Sequence, residues 1–329
     1  NAGTVPHTFT ATLTAAVQGG FTVAYTTNDG TAIAPGDYTD NDGTLTFTGT
    51  AGETKTIMVQ ANGDITVELN ESFTENLGAI GATTAIQAAA ITKVGTPQTA
   101  TIVNDDAATV SLAANVSQAE NLTPQVFTVN LSNPVDVPVT VLFNTSDGTA
   151  TTADNDYNGI AGQTVTFAAG STTAQTVNVT INNDSKVEAD EVYNVAIGSL
   201  TAGGRNVSMG TSSRTGTITN DDNATVVLSG NVVHPEGNTG FTNYVFTVSV
   251  NNPVQGGFTV NYTTSTSSAT VGSDFVDNDG ALVFTGAAGE TQTITVQGIG
   301  DFIVENNESF RVNLTTIVGA PIPGALNFG

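Results

Sequence analysis

Two pairs of adjacent aspartates close segments that otherwise consist mainly of Thr, Val and Ile. Asp105 and Asp106 end "TIVNDD", and Asp221 and Asp222 end "TITNDD". A second strand-like stretch, "ATVSL" or "ATVVL", follows each pair almost at once. Adjacent carboxylates repel one another, so a pair that returns in the same setting indicates a use for the charge. A simple turn is the competing interpretation, because Asp favours turns.

Further acids recur at fixed places around these pairs. A Glu follows a first strand, an Asp ends the strand that carries an aromatic residue, and an Asp-x-x-x-Glu-x-x-Glu run precedes a later strand. In chain order these acids are Asp29, Asp64, Glu68, Glu71, Glu120, Asp147, Asp184, Glu188, Glu191, Glu236, Asp301, Glu305 and Glu308. Acids at the ends of different strands can meet at one pole of an antiparallel sandwich. Crowded carboxylates favour a hard cation, and Ca²⁺ takes about 6–8 oxygen ligands.

The elements that position these acids repeat along the chain. The segments "HTFTATL", "QVFTVNL" and "YVFTVSV" each contain a Phe, and these are spaced about 118 residues apart. That period matches a whole β-sandwich rather than a solenoid repeat. Apolar and polar residues alternate in stretches such as "TKTIMVQA", which predicts strands with one buried face. We therefore expect an all-β chain of tandem antiparallel β-sandwiches, with repeats at 1–107, 108–223 and 224–329.

Composition narrows the classes of partner. The 329 residues include 30 Asp and Glu but only 6 Lys and Arg, which gives a net charge of −24. Such a polyanion repels nucleic acids and anionic membranes, and no apolar stretch is long enough for membrane insertion. Cys is absent, which excludes disulfide and thiolate chemistry. A Cys-free, Lys-poor β-protein rich in Thr, Gly and Asn is typical of a secreted or cell-surface bacterial protein.

Several motifs recur in order through nearly the whole chain: "DGTA" with a later "DY", "GDITVELNESF", "KVEADEVY" and "TITNDD". In this pattern the chain resembles the Calx-β domain family. The resemblance implies a seven-stranded, immunoglobulin-like β-sandwich in each repeat. It also implies calcium sites at one tip of the sandwich, where the tip faces the next domain.

The resemblance further implies which acids bind calcium. In the second repeat the implied ligands are Glu120, Asp147, Asp184, Glu188, Asp221 and Asp222, with Glu191 weaker. In the first repeat they are Asp29, Asp64, Glu68, Asp105 and Asp106, with Glu71 weaker. In the third repeat they are Glu236, Asp301 and Glu305, with Glu308 weaker. Thr266 stands where the other repeats have Asp, and Asn183 and Ser185 replace acids common in the strongest sites of the family. These departures predict fewer ions or weaker binding.

Other segments are predicted to have purely local roles. The segments "DNDG" at 40–43 and 277–280 resemble the start of an EF-hand loop, but its twelfth position would be Ala51 or Ala288 instead of Glu. We expect hairpin turns there. The Ala-rich segment 83–93 could form a short helix, but the surrounding pattern favours a loop or strand. Three acids precede an aromatic residue and are predicted to be turn residues: Asp37, Asp156 and Asp274.

An enzyme is not expected. Paired carboxylates serve glycoside hydrolysis, but that chemistry requires a cleft that usually contains aromatic platforms, and Trp is absent. The sequence shows no convincing Ser/His/Asp set. The acids also recur once per repeat, and a site copied along a chain indicates a structural role.

The two ends of the chain break the repeat pattern. Alignment with "ENLTPQVF" places Asn1 just after a missing Glu, so the first repeat lacks its first strand. The third repeat stops at "GALNFG", before any "TITNDD". A longer repeat array is one explanation. In the other, neighbouring copies donate the missing strands and build a filament head to tail.

We therefore expect a calcium-rigidified extracellular structural repeat protein that forms part of a cell-surface rod, filament or adhesin. Its expected partners are calcium and neighbouring copies of itself, as a homopolymer or a longer repeat array. Two alternatives stay open. A calcium-sensing regulatory module of a larger protein would bind with micromolar affinity, more tightly than an extracellular module. A carbohydrate-binding accessory module would bind glycans, although the absence of Trp counts against it.

Overall fold

The computed structural model describes residues 3–82 and 85–329, and β-strands make up most of them. Strand β10 (Gln125–Leu131) shows how the sequence produces them. Its residues are alternately buried and more exposed along "QVFTVNL", because successive side chains of a strand point to opposite faces. The expectation of an all-β fold is confirmed. Asn1, Thr83 and Thr84 lie outside the described residues.

The strands fall into three consecutive sets, one for each repeat. The first set is β1 (Gly3–Thr12), β2 (Phe21–Asp29), β3 (Tyr38–Thr39), β4 (Gly43–Phe47), β5 (Thr54–Gly63), β6 (Glu71–Ala82) and β7 (Gln98–Ile102). The second is β8 (Ala108–Leu112), β9 (Val116–Ala119), β10, β11 (Val139–Ser146), β12 (Gln163–Phe167), β13 (Gln175–Val179), β14 (Glu191–Thr201), β15 (Val207–Met209) and β16 (Ser213–Thr219). The third is β17 (Ala224–Leu228), β18 (Gly240–Val250), β19 (Phe258–Thr266), β20 (Gly280–Phe284), β21 (Thr291–Gly300), β22 (Phe310–Val318) and β23 (Leu326–Phe328).

The second repeat is a two-sheet sandwich, with strand orders β13-β10-β8-β15 and β12-β11-β14-β16-β9. Phe127, Phe143 and Tyr193 are fully buried in its core. The segment of β8 and β9 serves both sheets, since β8 pairs with β10 and β9 pairs in parallel with β16. Ala119 pairs with Thr219 at the end of that ladder. Glu120 is therefore delivered beside the aspartate pair that follows β16.

The outer repeats have smaller sheets among the described residues. The first repeat contains β1-β5-β3 and β4-β2-β6-β7, and the third contains β21-β18-β17-β23 and β20-β19-β22. Strand β1 lacks the neighbour that β8 gives to β10, and β22 lacks the one that β16 gives to β14. Phe9 of β1 is consequently only half-buried, whereas Phe127 is fully buried in the same place of the second repeat.

The sequence predicted hairpin turns at the two "DNDG" segments, and this prediction is wrong. In the first repeat β3 pairs with β5 but β4 pairs with β2, so residues 40–42 cross from one sheet to the other. The Asp42 Oδ1 atom accepts a hydrogen bond from the Thr27 backbone N–H at 3.0 Å, and Asp40 contacts the Thr27 hydroxyl. The acids of this segment therefore fix the crossover onto strand β2.

The Ala-rich segment also differs from the expected loop or strand. It contains helix α1 (Ala85–Ala90). Ala has the highest helix propensity of all residues, and here that local preference outweighs the β-rich surroundings.

One buried acid in the first repeat lies away from the pole. The matching stretches "ESFTENL", "EVYNVAI" and "ESFRVNL" place Glu75 where the other repeats have Val195 and Val312. Glu75 is only 3% exposed, and neither carboxylate oxygen has a hydrogen-bond partner. Burial, followed by the charges of Asp42 and Asp40, raises the pKa of Glu75 to about 7.

We predict that Glu75→Val stabilises the first repeat, and more so at pH 8 than at pH 5. The raised pKa means that the folded state keeps its proton while the unfolded state loses it near 4.5. Stability is therefore lost as pH rises from there towards 7, by on the order of 2–3 kcal/mol. Calorimetry of the variant across this range measures the difference. Thr74→Val, which lies on the opposite face of β6, is the control, and an effect of Glu75→Val that does not vary with pH would contradict the prediction.

Candidate metal centre

An asparagine precedes each aspartate pair and ties two parts of the pole together. Asn104 Oδ1 accepts a hydrogen bond from the Glu68 N–H at 3.1 Å, and Asn104 Nδ2 donates to the Asp106 carbonyl at 3.0 Å. Both bonds recur in the second repeat, at 3.0 Å each, through Asn220, Glu188 and Asp222. The loop that carries the glutamate is thereby held against the end of the last strand. The sequence motif drew attention to the aspartates, but the asparagine sets their position.

The second repeat brings seven acids into a continuous row. Three groups of carboxylates, each with oxygen atoms within 4.8 Å of one another, overlap through shared members. These groups are Glu120 with Asp221 and Asp222, Glu120 with Asp184 and Glu188, and Asp156 with Glu188 and Glu191. A small pocket beside the row is also lined by the amides of Asn155, Asn182 and Asn220. Every side chain named here offers oxygen atoms.

Burial makes ionisation of the carboxylates in this row unfavourable. Glu120 is 6% exposed, and three buried carboxylate oxygens have no hydrogen-bond partner: Glu120 Oε1, Asp221 Oδ1 and Asp222 Oδ2. Burial, then a proton shared with Asp222, raises the pKa of Glu120 to about 9. Burial likewise raises the pKa of Glu191 to about 7. Unpaired buried charge is strongly unfavourable, so the row requires either protons or a bound cation.

Two basic side chains lie near the acids, which the sequence did not predict. Lys186 forms an ion pair with Glu188, but burial still leaves the pKa of Glu188 raised. Arg205 pairs with Asp136 through two hydrogen bonds of 2.7 and 2.6 Å. Its charge lowers the pKa of Glu68, but burial and the nearby aspartates raise that pKa more. One lysine cannot neutralise seven acids.

Among the described residues, the outer repeats each hold one matching group: Asp37 with Glu68 and Glu71, and Asp274 with Glu305 and Glu308. The sequence predicted these two aspartates, and Asp156 of the second repeat, only as turn residues. They also have that role, since the Asp37 Oδ2 atom accepts the Ile33 N–H at 2.7 Å. Burial, then the neighbouring Asp37, raises the pKa of Glu71 to about 7. The same aspartate therefore closes a turn and faces a glutamate pair.

Asp29 and Asp147, which the resemblance implied as ligands, lie elsewhere. They accept hydrogen bonds from the hydroxyls of Tyr38 and Tyr157, at 2.6 and 2.7 Å. These bonds are the main reason that the pKa of each aspartate is lowered. The third repeat has Phe275 in place of the tyrosine and Thr266 in place of the aspartate. The third repeat therefore lacks both partners of this hydrogen bond, a difference that is visible in the sequence.

Five other acids named from the sequence lie outside the groups of three carboxylates found in the described part of the chain: Asp64, Asp105, Asp106, Glu236 and Asp301. Asp64 and Asp301 nevertheless have the local geometry of Asp184. Each accepts a hydrogen bond from the backbone N–H two residues later, at 2.6–2.7 Å. Asp105 and Asp106 match Asp221 and Asp222, which are grouped through Glu120.

The chain is similar to one family model and to several solved structures. A model of the Calx-beta domain matches residues 3–107, 103–223 and 219–321. The crystal structure of CBD12 from CALX1.2 has a TM-score of 0.32 and 20% identity, covering 66% of this chain and 83% of that one. The apo-form Calx CBD1 domain has a TM-score of 0.32 and 21% identity, covering 36% of this chain and 100% of that one.

A comparison with curated proteins returned no match. Within the described residues, no helix has the length and apolar character needed to cross a membrane. The three family matches span almost the whole sequence and contain all strands of the three sets except β23. The chain belongs to the Calx-beta domain family, of which it carries three tandem copies.

Proposed function

We propose that the chain is a structural repeat protein whose seams are stiffened by Ca²⁺. The observation that carries the proposal is the set of buried carboxylate oxygens without partners at Glu120, Asp221 and Asp222. A hard cation removes the cost of those charges, and the donors are the oxygen ligands that Ca²⁺ prefers. Zinc or copper is disfavoured because neither Cys nor His belongs to any of the groups.

The residues that would hold the cations follow from the groups. In the second repeat they are Glu120, Asp156, Asp184, Glu188, Glu191, Asp221 and Asp222. In the first repeat they are Asp37, Glu68 and Glu71, with Asp64, Asp105 and Asp106 beside them. In the third they are Asp274, Glu305 and Glu308, with Glu236 and Asp301 beside them. Bound cations would supply positive charge that ties the end of the last strand to the glutamate loop.

The stiffening of the seam would follow from the position of the loop that carries Glu68. Val67 directly precedes Glu68 and is fully buried in the core of the second repeat. A cation that orders Glu68 therefore also orders the contact of Val67 with the next repeat. Val187 and Glu188 repeat this arrangement at the following seam. Metal binding and the angle between repeats are thus joined through neighbouring residues.

We further propose that this array forms part of a secreted or cell-surface rod, filament or adhesin, and not an enzyme. A net charge of −24 is neutralised best in an environment that supplies divalent cations. An extracellular module needs only weak sites, with Kd of about 10⁻⁴–10⁻³ M, whereas a sensor needs about 10⁻⁷–10⁻⁵ M. Calorimetric titration separates these ranges directly.

Strand donation between copies is the form of assembly that the first repeat supports. A groove beside β1 and β7 is lined by Val5, His7, Ala61 and Ile102, and also by Glu68. In the second repeat β9 fills the corresponding place beside β16, and Glu120 follows it. An extended segment that ends in Glu, from a neighbouring copy or a preceding part of a longer array, would complete both the sheet and the acid group.

We predict that Ca²⁺ raises the melting temperature and that Glu120→Gln removes most of the gain in the second repeat. At a concentration of about 100 Kd, the gain is about 2.7 kcal/mol per site, or roughly 10 °C for a repeat of this size. Asp154→Asn removes the same charge from an exposed loop of this repeat and is the control. Equal melting curves and equal small-angle scattering radii with calcium and with chelator would refute the proposal.

We predict that Ca²⁺ binding releases protons at pH 7, because the crowded acids hold them in the cation-free state. The raised pKa values give the sign: affinity strengthens as pH rises and weakens towards pH 6. Titration calorimetry in buffers of different ionisation enthalpy counts the protons. A binding enthalpy that is independent of the buffer would show that the acids are already ionised.

We predict that a peptide spanning residues 107–121 binds the groove of the first repeat, and more tightly with Ca²⁺ present. Its apolar face would fill the groove, and Glu120 would reach Glu68. Fluorescence anisotropy of the labelled peptide against the full chain measures the affinity. A peptide with Glu120→Gln should bind without the calcium effect, and absence of binding by either peptide would count against strand donation at this site.

A further inference from the structure

Both seams between repeats contain the same backbone contact. At the first seam the Val67 N–H donates to the Pro134 carbonyl at 2.9 Å, and the Asp136 N–H donates to the Val67 carbonyl at 3.2 Å. Val67 thereby forms a parallel bridge with Val135, and both valines are almost completely buried. We call such a valine the plug and the receiving turn the socket.

The second seam repeats the contact. The Val187 N–H donates to the Pro253 carbonyl at 3.0 Å, and the Gln255 N–H donates to the Val187 carbonyl at 2.9 Å. Val187 is fully buried and packs in the core of the third repeat. The Gln255 side chain also bonds to Glu191, a member of the acid row, at 3.1 Å. The socket therefore touches the proposed calcium ligands as well as the plug.

A third plug is exposed to solvent. Val304 occupies the position of Val67 and Val187, yet it is 99% exposed. Phe302 and Ile303 beside it are 79% and 65% exposed. The Asp301 Oδ1 atom accepts the Ile303 N–H, as Asp64 and Asp184 do in their own loops. The loop thus begins with the same turn as the two buried plugs and presents three consecutive apolar residues to solvent, which requires an explanation.

A third socket lies in the first repeat. The sequence "VQGGF" occurs both at Val17 and at Val254 of the occupied second socket. The Val17 N–H donates to the Gly49 carbonyl at 2.9 Å, and Val254 makes the same bond to Gly286. Gly49 has a φ of +98°, and a Cβ there would lie 1.9 Å from the Val17 carbonyl, so only glycine permits this turn. Val17 is half-buried, whereas Val254 is 2% exposed beneath its plug.

We propose that the loop at Phe302–Val304 binds the Ala16–Val17 socket of a second copy of this chain. Val304 would donate its N–H to the Ala16 carbonyl, which stands in the place of Pro134 and Pro253, and pack on Val17. The contact joins unlike surfaces, so it extends into a linear assembly. It rests on the proposed function insofar as Asp301 and Glu305, which flank the loop, are proposed calcium ligands.

A membrane surface is the other class of partner that an exposed apolar loop can have. The flanking acids oppose it, because they repel anionic headgroups. The two occupied seams favour another repeat of this kind, because the chain already binds this plug to this kind of socket twice, and the first repeat of a second copy offers such a socket.

The test is sedimentation velocity of the full chain with calcium, over a wide range of protein concentration. The unaltered chain should form a concentration-dependent series of oligomers. Val304→Asp should lower the association constant at least about tenfold, because it puts a charge into an apolar contact. Val233→Asp, at an 87% exposed valine of the same repeat, is the matched control and should associate as the unaltered chain does.

A mixing experiment tests the polarity of the contact. Ala16→Trp blocks the socket but leaves the plug, whereas Val304→Asp blocks the plug but leaves the socket. Neither variant alone should associate through this contact, and a mixture should form a one-to-one dimer by it. Self-association of Ala16→Trp, or a monomeric unaltered chain at every concentration, would overturn the proposal. So would Val304-dependent binding of the chain to phosphatidylcholine vesicles.

The melting curve separates this inference from the proposed function. If calcium raises the melting temperature but plug and socket variants associate like the unaltered chain, the inference fails and the function stands. If calcium has no effect on melting while association still depends on Val304, the calcium proposal fails and the contact stands. Unchanged circular dichroism of each variant establishes that it is folded.

Discussion

The repulsion between carboxylates that are buried together is the constraint on which the rest of the structure depends. Glu120 is carried into the pole by β9, and Asp221 and Asp222 arrive there at the end of β16. A charge with no partner in such a site costs several kcal/mol. The fold can keep this arrangement only if protons or cations accompany it. That requirement links the stability of each seam to its solution conditions.

The loop that carries Glu68 contributes both to the acid group and to the contact with the next repeat. Glu68 faces the acid group, and the preceding Val67 is buried in the next repeat. Adjacent residues of a short loop cannot move independently. On the proposed function, a change in charge at the glutamate acts on the packing of the neighbouring valine without any intervening network. Asn104 strengthens this coupling, because it holds the loop against the strand that leads to the next repeat.

Periodicity predicted the three repeats and the strands, because alternating burial leaves a direct trace in the sequence. The motifs and the family resemblance assigned Asp147 to the calcium site and Asp156 to a turn, whereas in the structure Asp147 bonds to Tyr157 and Asp156 belongs to the acid row. Their roles depend on Tyr157, whose hydroxyl reaches one of them across the turn. The third repeat has Thr266 in place of the aspartate and Phe275 in place of the tyrosine. The reason for this joint difference is clear only once the phenol contact is known. Tertiary contacts, not local propensity, decided these cases.

A buried acid does not by itself indicate a cation, and Glu75 shows where the distinction lies. Glu75 and Glu120 are both nearly inaccessible, and both have raised pKa values. Glu75 belongs to none of the carboxylate groups within the described residues, so a single proton satisfies it. Glu120 belongs to two groups at once, and one proton cannot neutralise its neighbours. The number of converging oxygens, rather than burial or pKa, therefore distinguishes Glu120, for which we propose a divalent cation, from Glu75, whose charge a single proton removes.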